Sequence, residues 1–194
     1  MAQRTTTLHR ADQTSPTVLL LIDVINDLEF DGGEDLLAPA LEMAKHLAPL
    51  KAKAKAAGIA CIHVNDNWGR WRSHFPDIVD GTRGTRGWPV ASQLLPEHDD
   101  YFVLKAKHSG FRATPLDLLL RHLEARRLII TGLAADNCVL FTASDAYMHE
   151  YELVIPRDCV ASEQSEWRDA ALAHMERVLK ARIVRAEDAL AVIY

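Results

Sequence analysis

Apolar and polar positions along the chain follow two different periods. Short apolar runs, "TVLLLID" (Thr17 to Asp23), "IACIHVND", "YFVLKA", "RLIIT", "YELVIP" and "ARIVR", read as six strands buried on both faces. Between them lie stretches with apolar residues at three-and-four spacing, the period of amphipathic helices. "EDLLAPALEMAKHLAPLKAKAKAAG" places acids early, lysines late and Gly58 as a stop. In it Pro39 is placed to delay the helix start and Pro49 to bend or break it. "TPLDLLLRHLEA" is a helix with Thr114 as N-cap and Pro115 in its first turn. Further helices follow Cys138 and span roughly Gln164 to Lys180. Strands alternating with helices predict an α/β fold, a single doubly wound domain with a six-stranded, mainly parallel sheet and helices on both faces. Residues 1–16 read as a polar N-terminal arm and residues 17–194 as the folded domain.

The segment Asn65 to Pro89, "NDNWGRWRSHFPDIVDGTRGTRGWP", breaks this pattern. It shows little regular periodicity, yet holds three of the four tryptophans, which argues against disorder. Loops this long in a compact domain are usually functional when they are ordered. Trp68 and Trp71 could offer a flat apolar wall to a ligand, and Arg70 or Arg72 could pair with a carboxylate. The same tryptophans could equally pack the loop or a subunit contact.

Composition narrows the function. With 194 residues, 48% apolar and 25% charged content, this is an ordinary globular chain. A net charge of -5 argues against nucleic acid as a partner, and no apolar run approaches the length that spans a bilayer. Residues 1–16 lack an apolar signal core. An odd, widely spaced set of three cysteines suits free thiols in a reducing, cytoplasmic compartment.

Three residues stand at or just beyond the carboxyl ends of apolar strands, where doubly wound sheets bind ligands. Asp23 reads as a cleft-facing acid, a cap or a structural ion-pair partner. Lys105 follows an apolar and aromatic run and could donate to a developing anion. Cys138 falls where a strand ends and a helix begins, six positions after Gly132. It reads either as a small buried hydrophobe or as a nucleophile whose pKa is lowered by the helix start. Cys61 and Cys159 read as buried thiols.

Taken in order, these motifs resemble the isochorismatase-like cysteine hydrolase superfamily, with its nicotinamidases and N-carbamoylsarcosine amidohydrolases. The motifs are "LLLIDVINDL" ending its apolar run in Asp23, "KAKHSGF" with "RATPLDLLL", and "ITGLAADNCVLFTASDAY" followed by a strand and "DCVAS". The resemblance implies Asp23, Lys105 and Cys138 as catalytic residues and Lys105 rather than Lys107 as the lysine. It implies an oxyanion hole from the backbone N–H groups of Ala134 and Cys138, with a cis peptide at Leu133–Ala134. Phe111, in the second motif, is taken with Trp68, Arg70, Trp71 and Arg72 as a substrate contact. A homo-oligomer, dimer or tetramer, is also implied.

The chain departs from the nicotinamidase pattern at "NDNWGRW", where Trp68 stands in place of a metal-binding histidine. Asp66 with a distant His74 is a poor donor set, so no metal and no other cofactor is expected. Isochorismatases proper cleave a vinyl ether by protonation and dispense with the cysteine, which is present here. The reading is a metal-independent cysteine hydrolase cleaving a C–N bond of a small amide, carbamoyl or ureido compound through a thioester. The alternatives are a vinyl-ether hydrolase that needs only Asp23, or a redox-responsive thiol protein.

Overall fold

The computed structural model describes residues 14–69 and 74–191. Most of the N-terminal arm, residues 1–13, lies outside this range. In chain order the elements are β1 (Thr17–Ile22), α1 (Gly33–Ala56), β2 (Ala60–Asp66), α2 (Phe75–Gly81), α3 (Trp88–Ala91), β3 (Tyr101–Lys105) and α4 (Leu116–His122). They continue with β4 (Arg127–Leu133), a π-helical turn (Ala135–Val139), α5 (Leu140–Met148), β5 (Glu152–Pro156), β6 (Val160–Ala161), α6 (Ser165–Leu179) and β7 (Arg182–Val184). The strands form one sheet in the order β3-β2-β1-β4-β5-β7, with β6 pairing on β4, and every pairing is parallel. All six expected strands are present. The seventh, β6, is two residues inside "DCVAS", too short to give a periodic signal.

Alternate residues of each strand feed two apolar layers. Leu19 and Leu21 pack with Leu36, Ala40, Met43 and Leu47 of α1. Val18, Leu20 and Ile22 pack with Leu116 and Leu120 of α4, Ala143 and Ala146 of α5, and Leu172 and Met175 of α6. β1 is thus buried on both faces, as its unbroken apolar run requires.

Two sequence expectations fail. α1 runs unbroken through Pro39 and Pro49. Each proline removes one intrahelical bond, but the carbonyls left over belong to Asp35 and Lys45, both exposed, where water can serve them. Burial of the opposite face holds the helix straight through. The 65–89 segment is also not one irregular loop, since α2 and α3 interrupt it, each with proline in its first turn. Trp88 packs on the α1 layer and carries Arg83 over its ring at 4.9 Å.

The segment before α3 clasps the loop that follows β1. The Gly87 N–H donates to Asp27 O at 2.8 Å, and Arg86 Nη1 donates to Leu28 O at 2.7 Å. A Cβ at Gly87 would lie 1.9 Å from Asn26 O, so no side chain fits there. Strand order reverses between β1 and β4, and this is the switch point where an open α/β sheet leaves a crevice. The backbones close tightly there: Gly132 has φ 111°, and a Cβ on it would meet Ile22 O at 2.0 Å.

Candidate active site

Asp23 leaves β1 in the left-handed region, φ 50°, a conformation that aspartate tolerates better than most residues. Its N–H donates to Val64 O at 3.0 Å. Its carboxylate meets Lys105 Nζ at 2.8 Å through Oδ2 and accepts the Asp66 N–H at 2.7 Å through Oδ1. Lys105 ends β3, paired in register with Asp66 of β2, and is only 1% exposed. Its ammonium also lies 3.5 Å from Asp66 Oδ2 and 3.4 Å from Cys138 Sγ. Cys138 projects from the π-helical turn after β4, half-buried, with its sulfur against the Lys105 ammonium. On the solvent side, His108 Nδ1 lies 3.8 Å from Sγ.

The three residues picked from strand ends therefore converge on one point. Their electrostatics differ from the expectation. Burial pushes the Cys138 thiol up to about 12, and the neighbouring Asp23 charge adds to this; Lys105 opposes both and loses. Burial likewise raises the Asp23 carboxyl, against the lowering effect of Lys105 and the hydrogen bond from Cys138. Lys105 is held above its ordinary value: burial works against its charge, but the charges of Asp23 and Cys138 prevail. The cluster thus rests with a neutral thiol, and one buried ammonium serves both the sulfur and Asp23. Such an array can move a proton from sulfur to Asp23 without exposing either group to water.

The profile described as Isochorismatase domain matches residues 17–188. The chain belongs to the isochorismatase family. It is 41% identical to an uncharacterized isochorismatase family protein, YaaI, of Bacillus subtilis (strain 168), over 88% of this chain and 94% of that one. It is 29% identical to the ureidoacrylate amidohydrolase RutB of Enterobacter sp. (strain 638), over 82% of each. Among solved structures, the N-carbamoylsarcosine amidase of Thermoplasma acidophilum superposes with a TM-score of 0.66 at 27% identity, covering 88% of this chain and 96% of that one. The chain is an isochorismatase-family hydrolase.

Other expected site residues fare differently. Leu133–Ala134 is trans, and no cis peptide bond occurs among the described residues. The trans bond is the lower-energy form, and Ala134 takes ordinary extended angles, φ -83° and ψ 148°, while its carbonyl accepts the N–H groups of Asn137 and Val139. Phe111 stacks on His149, just past the C-terminal end of α5, with ring centroids 5.0 Å apart, and packs near Tyr151. Trp68 follows β2 at the cleft rim, 36% exposed. Arg70, Trp71 and Arg72 lie outside the described residues.

His74 is paired with Asp77 at 2.7 Å. No group of three or more His, Cys, Asp or Glu able to hold a metal ion occurs among the described residues. No helix among them is long and apolar enough to cross a membrane. Sequence reasoning weighed Asp66 only as a metal ligand and passed over His108. The pairing of Asp66 with Lys105 arises from the β2–β3 register, and His108 is signalled only by lying three residues after that lysine.

Proposed function

We propose that this chain is a metal-independent cysteine hydrolase that cleaves a C–N bond of a small amide, carbamoyl or ureido compound. The observation that carries the reading is the convergence of a carboxylate and a thiol on one buried ammonium, with Lys105 Nζ 2.8 Å from Asp23 and 3.4 Å from Cys138 Sγ. The names of two relatives, a ureidoacrylate amidohydrolase and an N-carbamoylsarcosine amidase, support this substrate class.

Because the thiol rests protonated, proton transfer to Asp23 accompanies attack on the carbonyl carbon rather than preceding it. The oxyanion that forms lies against the backbone N–H groups of Ala134 and Cys138, and Lys105 stabilises the charge. Asp23 then gives its proton to the leaving nitrogen as the C–N bond breaks. Ammonia or an amine departs, and water hydrolyses the thioester to restore the thiol. Lys105 also works against the burial of Asp23, favouring the ionised form that can take the thiol proton.

Ammonia release across a panel of small amides, carbamoyl and ureido compounds tests this. Turnover that disappears in Cys138→Ala and persists in EDTA is expected. Activity that survives Cys138→Ala but not Asp23→Asn would instead point to protonation of a vinyl ether. Loss in EDTA, restored by zinc, would overturn the metal-independent reading. We carry the homo-oligomer forward as well; light scattering that gives a monomer mass would remove it.

A further inference from the structure

The thioester step needs a base for water, and Asp23 is poorly placed to be it. It is only 5% exposed and lies against Lys105 Nζ at 2.8 Å, which leaves a solvent water little access to its oxygens. His108 occupies the opposite, open side. Its Nδ1 is 3.8 Å from Sγ, a weak contact at best but one that sulfur's radius permits and that a single water can bridge.

The imidazole is held rather than loose. It stacks on Phe141 with ring centroids 5.6 Å apart and 26° between planes, which gives an exposed aromatic residue of α5 a function. The loop that carries His108 is pinned to the same helix. Ser109 Oγ donates to the Asp145 carboxylate, and the Gly110 N–H donates to Thr142 Oγ1 at 3.0 Å. The groups that face the imidazole are therefore Cys138 and Phe141, with Lys105, Asp23 and Asp66 behind the sulfur and Lys107 on its own loop. Nothing already assigned to this cluster uses it.

We propose that His108 is the catalytic residue for thioester hydrolysis. This rests on the cysteine-hydrolase reading above. A water gives one proton to the imidazole as its oxygen bonds to the thioester carbon. The C–S bond then breaks, Lys105 steadies the departing sulfur, and the imidazolium returns that proton to Sγ. Water is thereby divided between the released acid, which gains OH, and the thiol, which gains H. Asp23 serves acylation and His108 serves deacylation, on opposite sides of one sulfur.

The test uses p-nitrophenyl acetate, which acylates a competent cysteine without a specific pocket. The wild-type protein gives a burst of nitrophenolate and an acetyl adduct on Cys138 by intact mass. His108→Gln keeps the burst and slows deacylation by about 10²-fold, the usual contribution of a positioned acid–base group. Added imidazole restores part of the variant's deacylation rate and leaves its burst unchanged. Phe141→Leu, which leaves the histidine in place but unstacked, gives an intermediate rate. An adduct that hydrolyses equally fast in wild type and His108→Gln overturns the role of His108 alone. A wild-type protein that forms no adduct removes Cys138 as nucleophile, and both readings fall with it.

Discussion

The two ends of β3 carry the same residue types to opposite effect. Just before the strand, Asp100 meets Lys51 Nζ at 2.6 Å and Lys55 Nζ at 2.7 Å, and accepts the Glu97 N–H at 2.8 Å. Burial alone would push its carboxyl up, but the His63 imidazole at 3.4 Å together with these donors prevails and holds it far below the carboxylate range. At the other end, one ammonium, Lys105, serves Asp23, Asp66 and the Cys138 sulfur. There the donors are too few, so both Asp23 and the thiol are raised. A buried carboxylate that draws on several cationic donors is a fastener; one that shares a single ammonium with a second carboxylate and a thiol retains protons it can move. The number of donors facing each carboxylate separates the two, not the residue types.

The comparison breaks most visibly through activity. Cys138→Ala and Asp23→Asn should each lower turnover by at least about 10³-fold in an ammonia assay. Asparagine tolerates the left-handed backbone of Asp23, so the second variant should still fold, as circular dichroism would show. An Asp23→Asn protein that retains turnover would show that the carboxylate moves no proton.

Next in size, Asp100→Asn should cost about 1.5–3 kcal/mol in urea unfolding, because it removes the charged acceptor 2.6 Å from buried Lys51, which keeps only Glu97 at 3.5 Å and the Leu95 carbonyl. Turnover of the protein that remains folded should change less than about twofold. Equal losses of activity and stability would mean that the two ends of β3 do not act separately.

The pH dependence should have opposite signs at the two ends. The folded-state pKa of Asp100 is depressed, so its stabilisation is full above the unfolded value of 3.8 and fades as pH falls toward the folded value. The folded-state pKa of Asp23 is raised, so its ionisation penalises the fold above 3.8 and the penalty vanishes in acid. Urea midpoints measured across this range should show the cost of Asp100→Asn shrinking on acidification. Any gain from Asp23→Asn should shrink as well. A constant difference for either variant would contradict the assigned shift. The smallest effect concerns Phe111: Phe111→Leu should change turnover less than about twofold and cost about 1 kcal/mol, the worth of its stacking on His149.

Much of this was legible in the chain. The six strands could be read because buried parallel strands spell unbroken apolar runs, and Asp23, Lys105 and Cys138 stood out as polar groups closing three of them. The continuity of α1 could not be read, since the proline rule is local while the burial of Leu36, Met43 and Leu47 is tertiary. Helices α2 and α3 are too short to show a period. The resting state of Cys138 was misjudged for a related reason. A strand-to-helix junction and a lysine argue for a thiolate, but the burial and the Asp23 charge that outweigh them exist only after folding. His108 depends on the path of a loop, which its anchors on α5 decide.

The clasp between Gly87 and the loop after β1 bears on redesign. Two stretches about sixty positions apart in the chain, one of them the loop that follows Asp23, are joined backbone to backbone at a site with no room for a Cβ. Grafting either stretch alone from a relative would collide with the resident copy of the other. Libraries aimed at new substrates should therefore exchange residues 24–32 and 83–88 as a matched pair, and place their diversity in the rim that follows β2.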